Sequence, residues 1–398
     1  MGVKRGPVGI SLGSIMQFFP IEPIEEILEE CDAQSIRRRK LPSDLMIYAT
    51  IAFGLYLSEG CRDVLRRVIP RKRDRWLGEL EDVASESAIS QARTRLGYKP
   101  VKRVYHDYVR PLATRETKGA WFRRWRLVSL DGTTLDVADT PENVRAFRRP
   151  GVSSGHAAYP QLRLVSLMEN GTHVLFGANI GGCRTNEYRI VQPVIEFLPR
   201  DALCLADRAF FGYPLWCKAR ETGAELLWRV KNNLILDTSN RLADGSYLTK
   251  IYPSAKARKE DRDGIPVRLI QFEIRTRDSV EQYRLLCSIL DIRKAKATRL
   301  AGLFINRWTI ETAFDELKVR LRGPGLVLRG KKPAHIRQEV YGMLMAHFGV
   351  RALIHQAALR QNEPPGELSF VHALRVVERY LPLYVSFPPS FQIIGLPD

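Results

Sequence analysis

The 398-residue chain has no closely spaced cysteines: Cys31, Cys61, Cys183, Cys204, Cys217 and Cys287 are scattered, with no CxxC. That excludes the common cysteine zinc and thiol redox motifs and reads as reduced thiols in a core. The seven histidines show no paired metal spacing. No uncharged apolar run reaches 18 residues, and none of signal-peptide length follows Met1-Gly2-Val3-Lys4-Arg5-Gly6-Pro7, so a soluble cytoplasmic protein with no membrane partner is expected. No repeat at solenoid or propeller period is visible. Acidic residues are in deficit, with 44 Asp+Glu against 62 Lys+Arg and a formal net charge of +18. A field of that sign concentrates polyanions, nucleic acid among them, with salt-dependent affinity.

Hydrophobic residues make up 45% of the chain, enough to bury a core and too many for disorder. From Ile21 to about Pro111 the apolar spacing is helical, with a basic stretch at Arg71-Lys72-Arg73. Within it, Ser87 to Gly97 reads as a short helix with a serine start and a glycine stop. Gln91 and Arg95 lie on one side of that helix and Arg93 elsewhere on its polar surface, which suits either a DNA-reading helix or a solvated face. Strand patterns begin at Trp125: Arg126 to Val137, Leu162 to Met168 and Thr172 to Ile180 read as a meander with short connections. A helix pattern follows from Glu187 to Leu198, a strand at Ala202 to Asp207, a helix at Gly212 to Thr222 and a strand at Ala224 to Val230. Residues 231–297 alternate charged and apolar positions between turn signals and read as a β-rich insertion. Helix returns at Thr298 to Arg320, at Gln338 to Leu359 and near Ser369 to Arg379.

Asp131 and Asp207 each end an apolar run, and Glu311 lies in the Thr298 to Arg320 helical stretch. Three converging carboxylates would hold a hard divalent cation such as Mg²⁺ with positions left for phosphate oxygens. Two such ions can clamp an in-line phosphoryl displacement, which suggests cutting or joining of nucleic-acid strands. On a continuous helix Arg307, Glu311 and Lys318 fall within about 40° of one another around the axis. The same spacing is also that of an ordinary helix ion pair between Arg307 and Glu311. Asp315 is the one plausible substitute ligand nearby, and Asp136 points to the opposite strand face. Gly9-Ile10-Ser11-Leu12-Gly13 matches a nucleophile elbow, but only eight residues precede it, too few for the strand that such an elbow requires.

Arg307-Trp308-Thr309-Ile310-Glu311 with Lys318 resembles the Y-x₂-R-x₃-E-x₆-K signature of IS4-family DDE transposases, with Phe304 at the tyrosine position. Leu130-Asp131-Gly132-Thr133-Thr134 resembles that family's first-aspartate block and Leu205-Ala206-Asp207-Arg208-Ala209-Phe210-Phe211 its second. The resemblance runs from about residue 20 to 380. It implies an α/β fold: a ribonuclease-H-like mixed sheet with helices on its faces, a β-rich insertion and an all-helical N-terminal domain. The expected division is 1–120 for the helical DNA-binding domain, 121–230 and 298–360 for the core, 231–297 for the insertion and 361–398 for a helical tail.

The resemblance further implies Asp131, Asp207 and Glu311 as catalytic metal ligands for two Mg²⁺ ions, with Mn²⁺ as a substitute. Arg307, Lys318 and Arg208, together with Gln91, Arg93 and Arg95 of the candidate reading helix, are the expected DNA and phosphate contacts. The partners would be double-stranded element ends and target DNA, with a homodimer in the synaptic complex and nucleoid association when bound. If base flipping occurs, Trp228, Tyr247, Tyr252 and Phe272 are the candidate stacking aromatics. A DNA-binding derivative without catalysis and a metal-dependent nuclease on the same core are the alternative readings.

Overall fold

The structure is a computed structural model and describes residues 15–35, 41–68, 84–152, 155–156, 159–275, 280–305, 307, 309–321, 323, 325 and 327–380. Gly9 to Gly13 and Arg71 to Arg73 lie outside the described residues. Five helices come first: α1 (Ile21–Glu30), α2 (Ser43–Leu55), α3 (Cys61–Val68), α4 (Glu86–Leu96) and α5 (Lys99–Tyr108). Strands β1 (Trp121–Phe122) and β2 (Trp125–Asp136) follow, then α6 (Pro141–Phe147), β3 (Gly151–Val152), β4 (Gly155–His156), β5 (Gln161–Glu169) and β6 (Val174–Gly182). The expected meander is present, but its first connection is long and carries α6 and the β3–β4 ladder. Next come α7 (Glu187–Val191), β7 (Ala202–Ala206), α8 (Tyr213–Glu221) and β8 (Glu225–Arg229), then β9 (Tyr247–Ile251), α9 (Ala255–Lys259), β10 (Ile265–Arg275) and β11 (Val280–Cys287). The chain continues through α10 (Ala297–Ile305), α11 (Thr309–Asp315), a π-helical turn (Glu316–Leu321), α12 (Pro333–Gln361) and α13 (Phe370–Tyr380).

One nine-stranded mixed sheet runs β6-β5-β2-β7-β8-β11-β10-β9, with β1 paired to β2. The β2–β7 and β7–β8 pairs are parallel, and the other pairs in this sheet are antiparallel. The β-rich insertion therefore extends the central sheet through the β8–β11 pair. Parallel strands covered on both faces need apolar side chains at every position, and β7 shows the consequence: Leu203 and Leu205 enter one buried cluster while Ala202, Cys204 and Ala206 enter the other. The smaller cluster holds α10 residues Leu300 and Phe304 against Leu127, Leu203, Leu205, Leu227 and Leu285. The larger one joins apolar residues of α12 between Ile336 and Ile354 to those of the first helices.

The helical region is fused to that larger core. α2 is buried from Leu45 to Leu55 and packs along α12. A Cβ on Gly54 would lie 2.3 Å from the carbonyl carbon of Gly342, so the two backbones touch where only glycine fits.

Candidate active site

Register places the site. Leu130 pairs with Ala206 across β2 and β7, and Ala206 with Trp228 across β7 and β8. The residue that follows each of these three is charged: Asp131, Asp207 and Arg229. Because Leu127, Leu203 and Leu227 belong to the smaller cluster, strand alternation puts these three charged residues on the sheet face covered by α10. The chain leaves α10 on that face and delivers Arg307, whose Nη1 donates to Asp131 Oδ2 at 2.6 Å. Lys318 Nζ donates to Thr133 Oγ1 at 3.0 Å, two positions further along the same face of β2.

Burial raises the Asp131 carboxyl above its ordinary range; Arg307 and the Gly132 amide oppose the shift, and the charge of Asp207 adds to it. A half-buried carboxylate with an anionic neighbour is a place where a divalent cation relieves both costs. Arg307 is 5% exposed, and its Nε is buried with no hydrogen-bond partner among the described residues. Arg229 lies 3.8 Å from Asp207, pairs with Glu281, and stacks its guanidinium 4.0 Å over the Tyr283 ring.

Glu311 is exposed on α11, a helix packed against β2. Among the described residues no group of three His, Cys, Asp or Glu side chains lies close enough to hold a metal ion. The structure thus sets Asp131 beside Asp207 and keeps Glu311 on the flanking helix. The carboxylate donor set is hard-oxygen in character and fits Mg²⁺ chemically. The expectation of one continuous helix from Thr298 to Arg320 is corrected: α10 ends at Ile305, α11 starts at Thr309 and a π turn begins at Glu316. Arg307 and Lys318 reach β2 from separate segments rather than from one helix face. Asp315 pairs with Arg320 at 3.3 Å.

Phe304 is buried and meets Tyr283 edge-on at 6.2 Å, with Arg307 5.7 Å above its ring. Arg208 is exposed beside Asp207 and lines a groove of about 500 Å³ together with Lys231, Lys250, Tyr252 and Arg258. Trp228 is fully buried, which removes it as a stacking platform for a base, and Phe272 stacks on Tyr283. On α4, Ser85 caps the helix through the Ala88 amide, and Gln91 and Arg95 are exposed. Arg93 is corrected from DNA contact to internal tie: it is 6% exposed and donates to Gln338, to the His335 carbonyl and to Glu339. Its signal was hidden because partners more than 240 residues away leave no local pattern. Arg229 escaped sequence reasoning as well, although it follows Leu226-Leu227-Trp228 just as Asp131 and Asp207 follow their own apolar runs.

Acidic and basic side chains gathered at the ends of neighbouring parallel strands, on a mixed sheet with helices on both faces, define a ribonuclease-H-like α/β protein. Residues 125–348 match the family described as Transposase DDE domain, and residues 9–106 match Insertion element 4 transposase N-terminal. The chain belongs to the IS4-type DDE transposases, a family of DNA phosphoryl-transfer enzymes whose catalytic domains generally use divalent metal ions. It is 27% identical over 373 residues to the Escherichia coli (strain K12) transposase InsG for insertion sequence element IS4, covering 93% of this chain and 83% of that protein. Among solved structures it resembles the piggyBac transposase synaptic complex with hairpin DNA, with a TM-score of 0.46 and 12% identity over 94% of this chain and 81% of the other. No helix among the described residues is long and apolar enough to cross a membrane.

Proposed function

We propose that this chain binds the ends of its insertion element and catalyses metal-dependent cleavage of DNA strands and their transfer into target DNA. The observation that carries the reading is the row Asp131, Asp207 and Arg229 on one sheet face, with Arg307 and Lys318 seated on β2 beside the first acid. Asp131, Asp207 and Glu311 would hold two Mg²⁺ ions, or Mn²⁺ in their place. When bound, the metal activates the attacking water or 3′-hydroxyl and neutralises charge at the leaving oxygen.

The chain's own residues supply positioning and charge. Arg307 pairs with Asp131 in the free protein, and a planar guanidinium is also suited to phosphate oxygens. Lys318 offers a point charge one strand step from Asp131. Arg208 and the basic groove beside it extend the positive surface along a nucleic-acid strand. Glu311, exposed on α11, would complete the acid set from the helix that packs against β2. The working assembly would be a homodimer that brings two ends together.

The test is cleavage of a duplex carrying an element end, with and without Mg²⁺. Asp207→Asn should lower the cleavage rate by more than about 100-fold while end binding in a gel-shift assay stays within about two-fold. Unchanged cleavage would remove Asp207 from the site. Phe304, which brings no hydroxyl to the family's tyrosine position, favours a second reading, a DNA-binding derivative without catalysis. Metal-independent binding with no nicking by the wild-type protein would select that reading. Nicking without joining to a second duplex would select a nuclease.

A further inference from the structure

We infer that Glu316 is a positioning residue: its buried carboxylate, held by Arg351 and His347 of α12, fixes the π turn that presents Lys318 to β2 beside Asp131. The inference rests on the reading of Lys318 as a phosphate ligand.

Glu316 opens the π turn directly after the helix that carries Glu311. A π turn is rare and occurs mostly as a single-turn bulge in an α-helix, frequently at functional sites. Glu316 is 6% exposed and Arg351 1%. Arg351 engages both carboxylate oxygens, with Nε donating to Oε2 at 2.9 Å and Nη2 to Oε1. His347 Nε2 lies 3.1 Å from Oε2, and His173, in the β5–β6 turn, places Nδ1 3.5 Å from Oε1. Nη2 of Arg351 also donates to His173 Nδ1 at 2.9 Å. His347 and Arg351 stand one turn apart on a helix that is buried over most of its length, so the anchor is rigid.

An apolar contact would bury the segment as well and would leave its rotation about the axis loosely determined. A two-oxygen contact with a guanidinium fixes both distance and direction. Buried ion pairs add little net stability over apolar side chains of the same volume, and their best-attested use is to set register. Here the register matters, because Lys318 follows Glu316 by two residues and its Nζ meets Thr133 Oγ1. If the turn relaxes to an α-helix, the azimuth of Lys318 changes and that contact is lost.

The experiment compares wild type, Glu316→Gln, Lys318→Ala and the double variant in the full-length chain. It measures melting, end binding, single-turnover cleavage with Mg²⁺, and hydrogen exchange of the amides of 316–321. In E316Q the expected result is faster exchange confined to 316–321, end binding within about two-fold of wild type, and cleavage lower by about 10- to 100-fold. The double variant should cleave no more slowly than K318A alone, because both changes remove one contribution. Wild-type exchange and cleavage in E316Q, or losses that multiply in the double variant, would overturn the inference. Should E316Q fail to fold, Arg351→Lys keeps the charge, loses the fork and is read by the same four measurements. If K318A alone cleaves like wild type, the phosphate-ligand reading fails, and the exchange of 316–321 in E316Q still decides whether Glu316 holds the turn.

Discussion

At the scale of single residues, the site is governed by what burial does to charge. Folding raises the Asp131 carboxyl above its ordinary value, first through desolvation and then through Asp207, against the pull of Arg307. A carboxyl raised in the folded state binds its proton more readily there than in the unfolded chain. Its contribution to stability is therefore present at low pH and is lost as pH rises through the folded value. Asp131→Asn, which resembles the protonated form and still accepts from Arg307, is expected to melt no lower than wild type at pH 8 in a calorimetric scan, with cleavage abolished. A drop in melting temperature would show that the charged pair with Arg307 outweighs desolvation.

Among the elements, α4 carries a buried, tied arginine and exposed polar side chains within a single helix. Arg93 is locked to Gln338 and Glu339 of α12, whereas Gln91 and Arg95 are exposed. Arg93→Ala leaves Glu339 buried without its cation, and loss of about 3 to 5 kcal/mol is expected in urea unfolding. Arg95→Ala should change stability by less than about 0.5 kcal/mol and weaken end binding. It should also flatten the slope of log affinity against log salt by about 0.9 if the arginine meets one phosphate. An unchanged slope would place α4 away from the DNA backbone. The same internal tie holds the segment after the π turn, since Glu339 also accepts from the amides of Arg329 and Gly330 at 3.0 and 3.3 Å. α4, α12 and the approach to the site thus share one hydrogen-bonded joint.

For the molecule as a whole, the crossing of α2 and α12 at Gly54 and Gly342 makes the helical region part of the core rather than an appended module. A fragment of residues 121–380 would expose the face of α12 that α2 covers, and it is expected to aggregate or to lose cooperative unfolding, whereas the full chain unfolds in one transition; calorimetry of both checks this. The order of elements, the meander, the alternation of helix and strand, and the acids at the ends of apolar runs were legible in the sequence. They depend on local periodicity and on family blocks, and both are written along the chain. The junction of the insertion with the central sheet, the π turn, the internal role of Arg93 and the place of Arg229 were not legible. Each is decided by a partner far away in sequence: β11 for β8, Arg351 for Glu316, Glu339 for Arg93, Asp207 for Arg229. The sequence by itself determined which residues carry charge at strand ends and how basic the surface is. The tertiary structure alone decided which of those charges meet, because burial and strand register, rather than spacing along the chain, set the distance between them.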